Sequence, residues 1–269
     1  MTTLFNTLSE NSLDNLFKWG ILSYQDYLVL SLVEPKLRQI QYPIASQIKA
    51  FLSVRMSNPE LANKLLETVK LYGAMLSGSM ILGIVYKTCW ADADLDIFVP
   101  VTTSPFKYTP LDRLLQPFRV KDQSTDDINY KKYGQFYRGS EKFVSIRQYE
   151  IPVEGNFPLS IQLINVANAP SDTPEEGIDH VKAFISSEFD FDFCKIAFDG
   201  ENIWFAGEAR KALANKSCAP NYIIPETLRR MEKYINRGFR FIGIKEYLGF
   251  KHREAFFKKK KGRLVDIQI

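Results

Sequence analysis

The feature that most limits what this chain can fold into is a run of alternating acids that follows a Gly-Ser turn. The apolar run 71–76 ends in Ser-Gly-Ser at 77–79, and the apolar stretch 80–86 leads to the acidic run 92–99, DADLDIFV. Short apolar runs broken by small residues are typical of buried elements joined by tight turns. The pattern therefore predicts a strand, a turn, a helix and a second strand.

The acidic run has the period of a half-buried strand. Alternate side chains of a strand share a face, so we expect the acids on one face and the apolar residues on the other. The acids are Asp92, Asp94 and Asp96, and the apolar residues are Leu95, Ile97 and Val99. Because like charges on one face repel, a cation is expected beside them. Mg²⁺, which takes oxygen ligands and few protein groups, is the natural candidate.

The turn before the helix has the composition of an anion site. Gly78 allows the backbone to approach a ligand closely, and Ser79 adds a hydroxyl beside the free N–H groups of a first helical turn. A phosphate-binding turn opposite metal-binding carboxylates is what phosphoryl or nucleotidyl transfer requires. The alternative is that the acids are a solvated strand end and that Gly78 only turns the chain.

Gly78-Ser79 followed by Asp94-Leu95-Asp96 resembles the Gly-Ser and Asp-x-Asp signature of the nucleotidyltransferase superfamily, whose members resemble the palm of DNA polymerase beta. The gap between the two motifs is slightly longer here than is common. The resemblance implies an α+β fold, with a mixed sheet flanked by helices. It also implies a nucleoside triphosphate on Gly78 and Ser79, Mg²⁺ on Asp94 and Asp96, and transfer of a nucleotide to an acceptor.

A third carboxylate is the part of this signature that the chain lacks. The segment 159–166, LSIQLINV, reads as a core strand, and the acid that active members carry on such a strand is replaced by Gln162. An amide cannot accept a proton and stabilises a metal less than a carboxylate does. Glu150, at the end of the preceding predicted strand 143–151, could substitute if the register allows. Gln162 could also be a hydrogen-bonded polar residue without a chemical role.

The organisation of the whole chain is that of an ordinary globular protein. Its 269 residues are 45% hydrophobic and 25% charged, which is enough to bury a sizeable core. We expect an N-terminal helical region at 1–68, a nucleotidyltransferase-like core at 69–205 and a basic helical region at 206–269. A helix is predicted from Pro59, with Asn58 as its cap.

Several other classes of protein are disfavoured by composition. Two histidines leave little for a Ser-His-Asp triad, and three widely spaced cysteines favour reduced thiols over a disulfide framework. The chain contains neither an apolar run long enough to cross a bilayer nor a signal-peptide pattern. We expect an intracellular protein, cytoplasmic or nuclear, whose chemistry depends on carboxylates and a metal.

The segment 12–38 has the hydrophobic spacing of an F-box, the helical motif that docks proteins onto the adaptor of cullin-type ubiquitin ligases. It departs from that motif at Ser12-Leu13-Asp14, where Leu-Pro is usual. The resemblance implies an adaptor function, tested by the burial of Leu16, Phe17, Leu28 and Leu32. The alternative is that these helices pack on the protein's own core.

The C-terminal region is strongly basic. From residue 226 to the last residue, 13 Lys or Arg face 5 Asp or Glu, a balance of +8 in a chain whose net charge is +4. A basic helix is predicted over 227–237, ended by Gly238, and a dense cationic run follows. Cations interleaved with aromatics suit a nucleic-acid backbone, although a lysine run also serves solubility or nuclear import. The candidate contacts are Arg229, Arg230, Lys233, Lys258, Lys259, Lys260 and Lys261.

A looser resemblance covers residues 70–240. IQLI at 161–164 followed by FDFCK at 191–195 is similar to nucleotidyltransferase-like proteins of fungi and large DNA viruses. Asp190 and Asp192 in the second stretch are candidate metal ligands, against the alternative that they are surface or capping acids between core aromatics. Three functions therefore stay open, namely a nucleotidyltransferase, a degenerate fold that binds nucleic acid, and an adaptor.

Overall fold

A six-stranded mixed sheet organises the chain, in the order β3-β4-β2-β1-β5-β6. The computed structural model describes residues 24–33, 44–102, 108–120, 143–153, 157–170, 173–223 and 225–243. The strands are β1 (Met75–Ser77), β2 (Leu95–Pro100), β3 (Phe143–Ile151), β4 (Leu159–Val166), β5 (Ile196–Phe198) and β6 (Ile203–Phe205). Strands β2 and β4 are parallel, and the other neighbours are antiparallel. The α+β fold with a mixed sheet flanked by helices is confirmed.

Helices flank the sheet. They are α1 (Tyr24–Val33), α2 (Ile44–Arg55), α3 (Pro59–Leu71), α4 (Gly78–Val85), α5 (Pro110–Leu115), α6 (Pro174–Glu188), α7 (Ala209–Asn215) and α8 (Pro225–Asn236). A short parallel pair, β7 (Ser217–Cys218) and β8 (Arg240–Phe241), lies after β6 in the chain. No helix among the described residues is long and apolar enough to cross a membrane.

The clearest sequence signals mark the elements that the structure contains. β3 and β4 have the predicted bounds, and α3 begins at Pro59 with the Asn58 side chain accepting a hydrogen bond of 2.9 Å from the N–H of Leu61. This cap satisfies one of the four free N–H groups of the first turn. The predicted basic helix is α8, and Gly238 follows it with a φ of +85°.

Two predicted boundaries around the acidic run were wrong. Leu71 belongs to the end of α3, and the strand that we expected over 71–76 begins only at Met75. β2 likewise begins at Leu95, so Asp92 lies in the preceding turn, Asp94 also precedes the strand, and the three acids do not share a strand face. The helix α3 continues through Leu71, although the apolar run 71–76 suggested a strand there. The alternation of acidic and apolar residues did not show where β2 begins to form hydrogen bonds with its neighbours.

The back of the sheet is fixed by a buried ion pair. The Nη1 of Arg147 on β3 donates to both carboxylate oxygens of Asp112 on α5, at 2.9 and 3.0 Å. The hydroxyl of Tyr149 and the N–H and hydroxyl of Thr109 also donate to that carboxylate, at 2.6–2.7 Å. A buried pair is stable only when its remaining polar atoms are satisfied in this way. The network holds α5 against the sheet.

An aromatic cluster fastens α8 to the edge of the fold near β5. Phe193 lies 4.3 Å from Phe239 and 5.0 Å from Tyr234 between ring centroids, and Phe191 lies 4.8 Å from Phe241. All five rings are buried. Because aromatic side chains bury large apolar areas, this cluster fixes the position of α8 and the direction in which its basic face points.

The helix α1 packs on the protein itself. Tyr24 stacks on Phe205 at 5.9 Å, and Tyr27 and Leu28 are buried. Of the F-box-like segment 12–38 only residues 24–33 are described, and Leu16 and Phe17 lie outside the described residues. The one test residue whose side chain is described, Leu28, is thus buried in the protein's own core.

Candidate functional site

The predicted carboxylates and the Gly-Ser turn meet in one cleft of about 800 Å³. One wall is formed by the start of α4 and by the end of the turn before β2. The other wall is α8. The lining residues that carry chemistry are Gly78, Ser79, Asp92, Asp94, Asp96, Gln162, Arg229, Arg230, Lys233 and Arg237. The residues that the sequence singled out as motifs are therefore brought together.

Gly78 and Asp96 are in close contact. β1 and β2 pair with Ser77 opposite Asp96, and Gly78 follows with a φ of +82°. A Cβ on Gly78 would overlap the Oδ2 atom and carboxylate carbon of Asp96. Both the left-handed backbone and the lack of space require glycine here. The turn thus allows a carboxylate to lie directly against the backbone at the start of α4.

The turn is also tied to the residues before β2. The N–H of Met80, in the first turn of α4, donates to the carbonyl of Asp94 at 3.3 Å. The hydroxyl of Ser77 donates to the carbonyl of Ile196 on β5 at 2.6 Å. Ser79 is buried and lines the cleft. These bonds hold the Gly-Ser turn and the Asp94 backbone in one fixed arrangement.

Gln162 lies beside both carboxylates. β2 and β4 are paired so that Asp96 is opposite Gln162, and the Nε2 of Gln162 donates to the Oδ2 of Asp94 at 3.1 Å. The amide therefore occupies the place on the neighbouring strand where a third acid was expected. Its role there is to donate a hydrogen bond to a carboxylate, which a glutamate could not do when ionised.

Glu150 is exposed and lies farther from the carboxylates. It pairs with Ser160 on β4, two residues along the strands from the pair of Gln148 with Gln162. Paired residues share a face, so Glu150 is on the same face as Gln162. It stands on β3, two strands from β2, at a lateral distance of about 10 Å. Among the described residues, no cluster of three or more His, Cys, Asp or Glu could hold a metal by itself.

The electrostatics of the two acids match their burial. Desolvation and the neighbouring Asp94 carboxylate together raise the pKa of Asp96 to about 7, against the opposing effect of Arg230 and Lys233. Desolvation also raises the pKa of Asp94, although Lys233 and a hydrogen bond from Ser160 oppose it. The pKa values of both carboxylates are raised by desolvation, and each is raised further by a neighbouring aspartate, so a cation would stabilise their charged forms.

Asp92 has a different environment from the other two acids. The Nη2 of Arg237 donates to its Oδ1 at 2.6 Å, and the Nζ of Lys233 lies 3.6 Å from its Oδ2. Desolvation raises the pKa of Asp92, but the hydrogen bond from Arg237 and the charge of Lys233 outweigh it, so the pKa is lowered. Asp92 therefore joins the turn before β2 to α8 and does not point with Asp94 and Asp96.

The second acidic stretch forms ion pairs. Asp190 is buried, with its Oδ1 2.9 Å from the Nη1 of Arg230, and Asp192 pairs with Lys195 at 2.9 Å. Phe191, which lies between them in the sequence, belongs to the cluster that fixes α8. Asp190 differs from the expected surface or capping acid because it is buried in an ion pair. The ion pair of Asp190 serves the cleft only by orienting Arg230.

Sequence reasoning missed Arg237 and Trp90. Arg237 directly follows α8, its side chain is 5% exposed, and its guanidinium lies 4.3 Å from the centre of the Trp90 ring. The spacing of Arg229, Lys233 and Arg237 is the signal that could have found it, because residues four apart share a helix face. The partner role of Asp92 could not be read from the sequence, since 145 residues separate it from Arg237.

Comparison with known proteins gives similar structures at low identity. No protein-family model matches the chain, and no curated protein sequence matches it. Among solved structures, a CCA-adding enzyme with CTP is 13% identical over 78% of this chain, with a TM-score of 0.45. A Thermotoga maritima CCA-adding enzyme complexed with tRNA is 13% identical over 79% of this chain, with a TM-score of 0.36. A Bacillus stearothermophilus CCA-adding enzyme in complex with CTP is 13% identical over 74%, with a TM-score of 0.34. The chain spans less than half the length of each of these enzymes.

Proposed function

We propose that the cleft binds a nucleoside triphosphate together with Mg²⁺, in a nucleotidyltransferase-like protein whose transfer chemistry is degenerate. The observation that carries this proposal is the position of Gln162, opposite Asp96 and hydrogen bonded to Asp94. An amide at this place keeps a binding site for a cation on two carboxylates but removes the group that could accept a proton from an attacking hydroxyl.

The residues present fit a bound Mg²⁺. It is commonly held by one or two protein carboxylates and completes its coordination with water and phosphate oxygens. Asp94 and Asp96 supply two carboxylates, and the pKa of each is raised by desolvation. Bound there, the cation would neutralise charge on the phosphates of the nucleotide. Gln162 would hold Asp94 in orientation through its hydrogen bond.

Gly78 and Ser79 are the proposed phosphate contacts. They open α4, whose first N–H groups carry the positive end of the helix dipole. Because Gly78 has no side chain, a phosphate and the Asp96 carboxylate can both approach the same stretch of backbone. The nucleotide would then lie between this turn and the basic face of α8.

A second candidate is nucleotidyl transfer itself. It is favoured by Glu150, which faces the same side of the sheet as Gln162 and pairs with Ser160, the residue that hydrogen bonds Asp94. In this case Glu150 would act as the base for the acceptor hydroxyl. Its distance from β2 makes it a weaker partner for the metal than a residue at position 162 would be.

The basic residues of α8 are the proposed contacts for a nucleic acid. Arg229, Arg230 and Lys233 line the cleft. The lysines 258–261 lie outside the described residues, so their contribution stays a prediction. The adaptor function gains no support from the described part of α1, because Leu28 is buried in the protein's own core.

Calorimetric titration of the full chain with Mg²⁺ and a nucleoside triphosphate tests the binding site. The double variant Asp94→Asn, Asp96→Asn should lose Mg²⁺-dependent binding. Asp179→Asn, which removes an exposed carboxylate from α6, should bind like the wild type. An unchanged titration for the double variant would refute the site.

Release of pyrophosphate separates the two candidates. The degenerate site predicts binding without turnover in the wild type and a gain in Gln162→Glu, because a positioned base contributes about 10²–10⁴-fold in rate. Turnover in the wild type that disappears in Glu150→Gln would instead establish the transferase with Glu150 as its base.

A further inference from the structure

Arg237 is the buried cation of the cleft, and one of its donors has no partner among the described residues. The Nη2 atom is committed to Asp92, while the Nη1 atom is buried and makes no hydrogen bond within the described part of the chain. Guanidinium N–H groups are strong donors, and leaving one buried and unsatisfied costs free energy. Arg237 lines the cleft, so a ligand oxygen that binds there and reaches this atom would satisfy it.

The guanidinium is held in place before any ligand binds. The centre of the Trp90 ring lies 4.3 Å from its carbon, and the same ring lies near Gly83 of α4. Asp92 holds one end of the fork through a 2.6 Å hydrogen bond. Because the side chain is already ordered, little conformational entropy is lost when an anion binds.

Arg237 is the last member of a row of cations. Arg229, Lys233 and Arg237 are spaced by four residues, and all three line the cleft. At 1.5 Å per residue, successive members are about 6 Å apart along the axis of α8. A row of cations suits a chain of phosphates better than a single small anion. Among the described residues, Asp92 is the carboxylate within ion-pair distance of Lys233 and Arg237, while Asp94 and Asp96 lie in the same cleft beyond that distance.

We propose that Arg237 anchors a metal-independent phosphate subsite on α8 that takes the phosphodiester backbone of a nucleic-acid acceptor. This inference deepens the proposed function, because it names the acceptor of the same cleft. The nucleotide's own phosphates are assigned to the Gly78 turn and the carboxylates, on the opposite wall. Arg229 and Lys233 bind neighbouring phosphates, and Arg237 fixes the register through its free Nη1.

Binding of a fluorescently labelled single-stranded oligonucleotide to the full chain in EDTA tests the subsite. Arg237→Gln should weaken binding about 10–100-fold, the loss expected for hydrogen bonds to a charged group. Arg240→Gln, which removes the same charge from an exposed residue three positions away, should change affinity less than threefold. Equal effects of the two variants would overturn the proposal.

Two further variants keep the test decisive if Arg237→Gln is poorly folded. Arg237→Lys keeps the charge but not the fork, so it should bind more weakly than the wild type while keeping a similar salt dependence. Arg229→Gln, at an exposed position, should reduce the slope of log affinity against log salt by about one. Full affinity in both variants would also overturn the subsite.

The phosphate subsite on α8 and the nucleotide site on the opposite wall can be tested separately. The double variant Asp94→Asn, Asp96→Asn should bind the oligonucleotide in EDTA at least as tightly as the wild type, because it loses two negative charges near Lys233, even if it binds no Mg²⁺ and nucleotide. If Arg237→Gln instead loses affinity for Mg²⁺ and a nucleoside triphosphate while keeping that for the oligonucleotide, the subsite belongs to the nucleotide and the acceptor assignment is wrong.

Discussion

Replacing Gln162 by Glu is the most direct test of how the charges of Asp94 and Asp96 are stabilised in the cleft. The variant loses the 3.1 Å hydrogen bond to Asp94, and a hydrogen bond to a charged group contributes about 1.5–3 kcal/mol. It also adds a like charge about 4 Å away, which costs about 4 kcal/mol at an effective dielectric constant near 20. Both residues are half-buried, so solvent screening and protonation reduce the sum. We expect a loss of about 2–4 kcal/mol in the free energy of unfolding in EDTA.

This loss is measurable as a melting temperature. For a protein of this size it corresponds to a decrease of roughly 4–15 °C. Mg²⁺ should restore much of the decrease, because three carboxylates around a cation replace three carboxylates that repel one another. The wild type, with two carboxylates and an amide, should gain less from the same concentration of Mg²⁺.

Two control variants isolate the charge and the position. Gln162→Met removes the hydrogen bond without adding a charge, so it should lose stability without a greater response to Mg²⁺ than the wild type. Gln148→Glu adds a carboxylate to the same cross-strand row but on β3, one strand farther from Asp96. If Gln162→Glu melts in EDTA like the wild type, or responds to Mg²⁺ no more than Gln162→Met, the assignment of this place as a metal-facing position is refuted.

Three further variants test the surroundings of the cleft. Gly78→Ala should lose nucleotide binding and about 1–3 kcal/mol of stability, since it combines a strained φ with overlap against Asp96. A variant that binds nucleotide in calorimetry and melts like the wild type would contradict this. Asp112→Ala should lose about 3–5 kcal/mol in chemical denaturation because it removes the carboxylate from a buried ion pair, and a loss under 1 kcal/mol would show that the pair is solvated. Asn58→Ala should lose about 0.5–2 kcal/mol through the cap of α3 and leave calorimetric nucleotide affinity unchanged, which makes it a stability control for Gly78→Ala.

Elements with a strong local signal could be predicted from the sequence, with their bounds. Strands β3 and β4 are rich in aliphatic and aromatic residues, and α3 carries both its cap and its first-turn proline. Local chemistry fixes such elements. The end of α3 and the start of β2 could not be located, because helix continuation and ladder pairing depend on neighbours that the sequence does not identify.

The candidate site was predictable where one motif holds all its residues. Gly78, Ser79, Asp94 and Asp96 lie within 19 residues and meet as the motif suggests. The sequence identified Gln162 as a residue of a core strand. The structure adds that Gln162 is paired with Asp96 on the neighbouring strand. The grouping of Asp92 with Asp94 was wrong, because Arg237, distant in sequence, draws its carboxylate towards α8.

The pairing of Asp92 with Arg237 has a consequence for the order in which the protein is made. The two residues are 145 positions apart, so at about 5–20 residues per second a ribosome needs roughly 7–29 seconds between them. During that interval a nascent chain carries Asp92, Asp94 and Asp96 without the arginine and lysine that face them. The acidic side of the cleft is therefore synthesised before its basic side, so the cleft is among the last features of the fold to be completed.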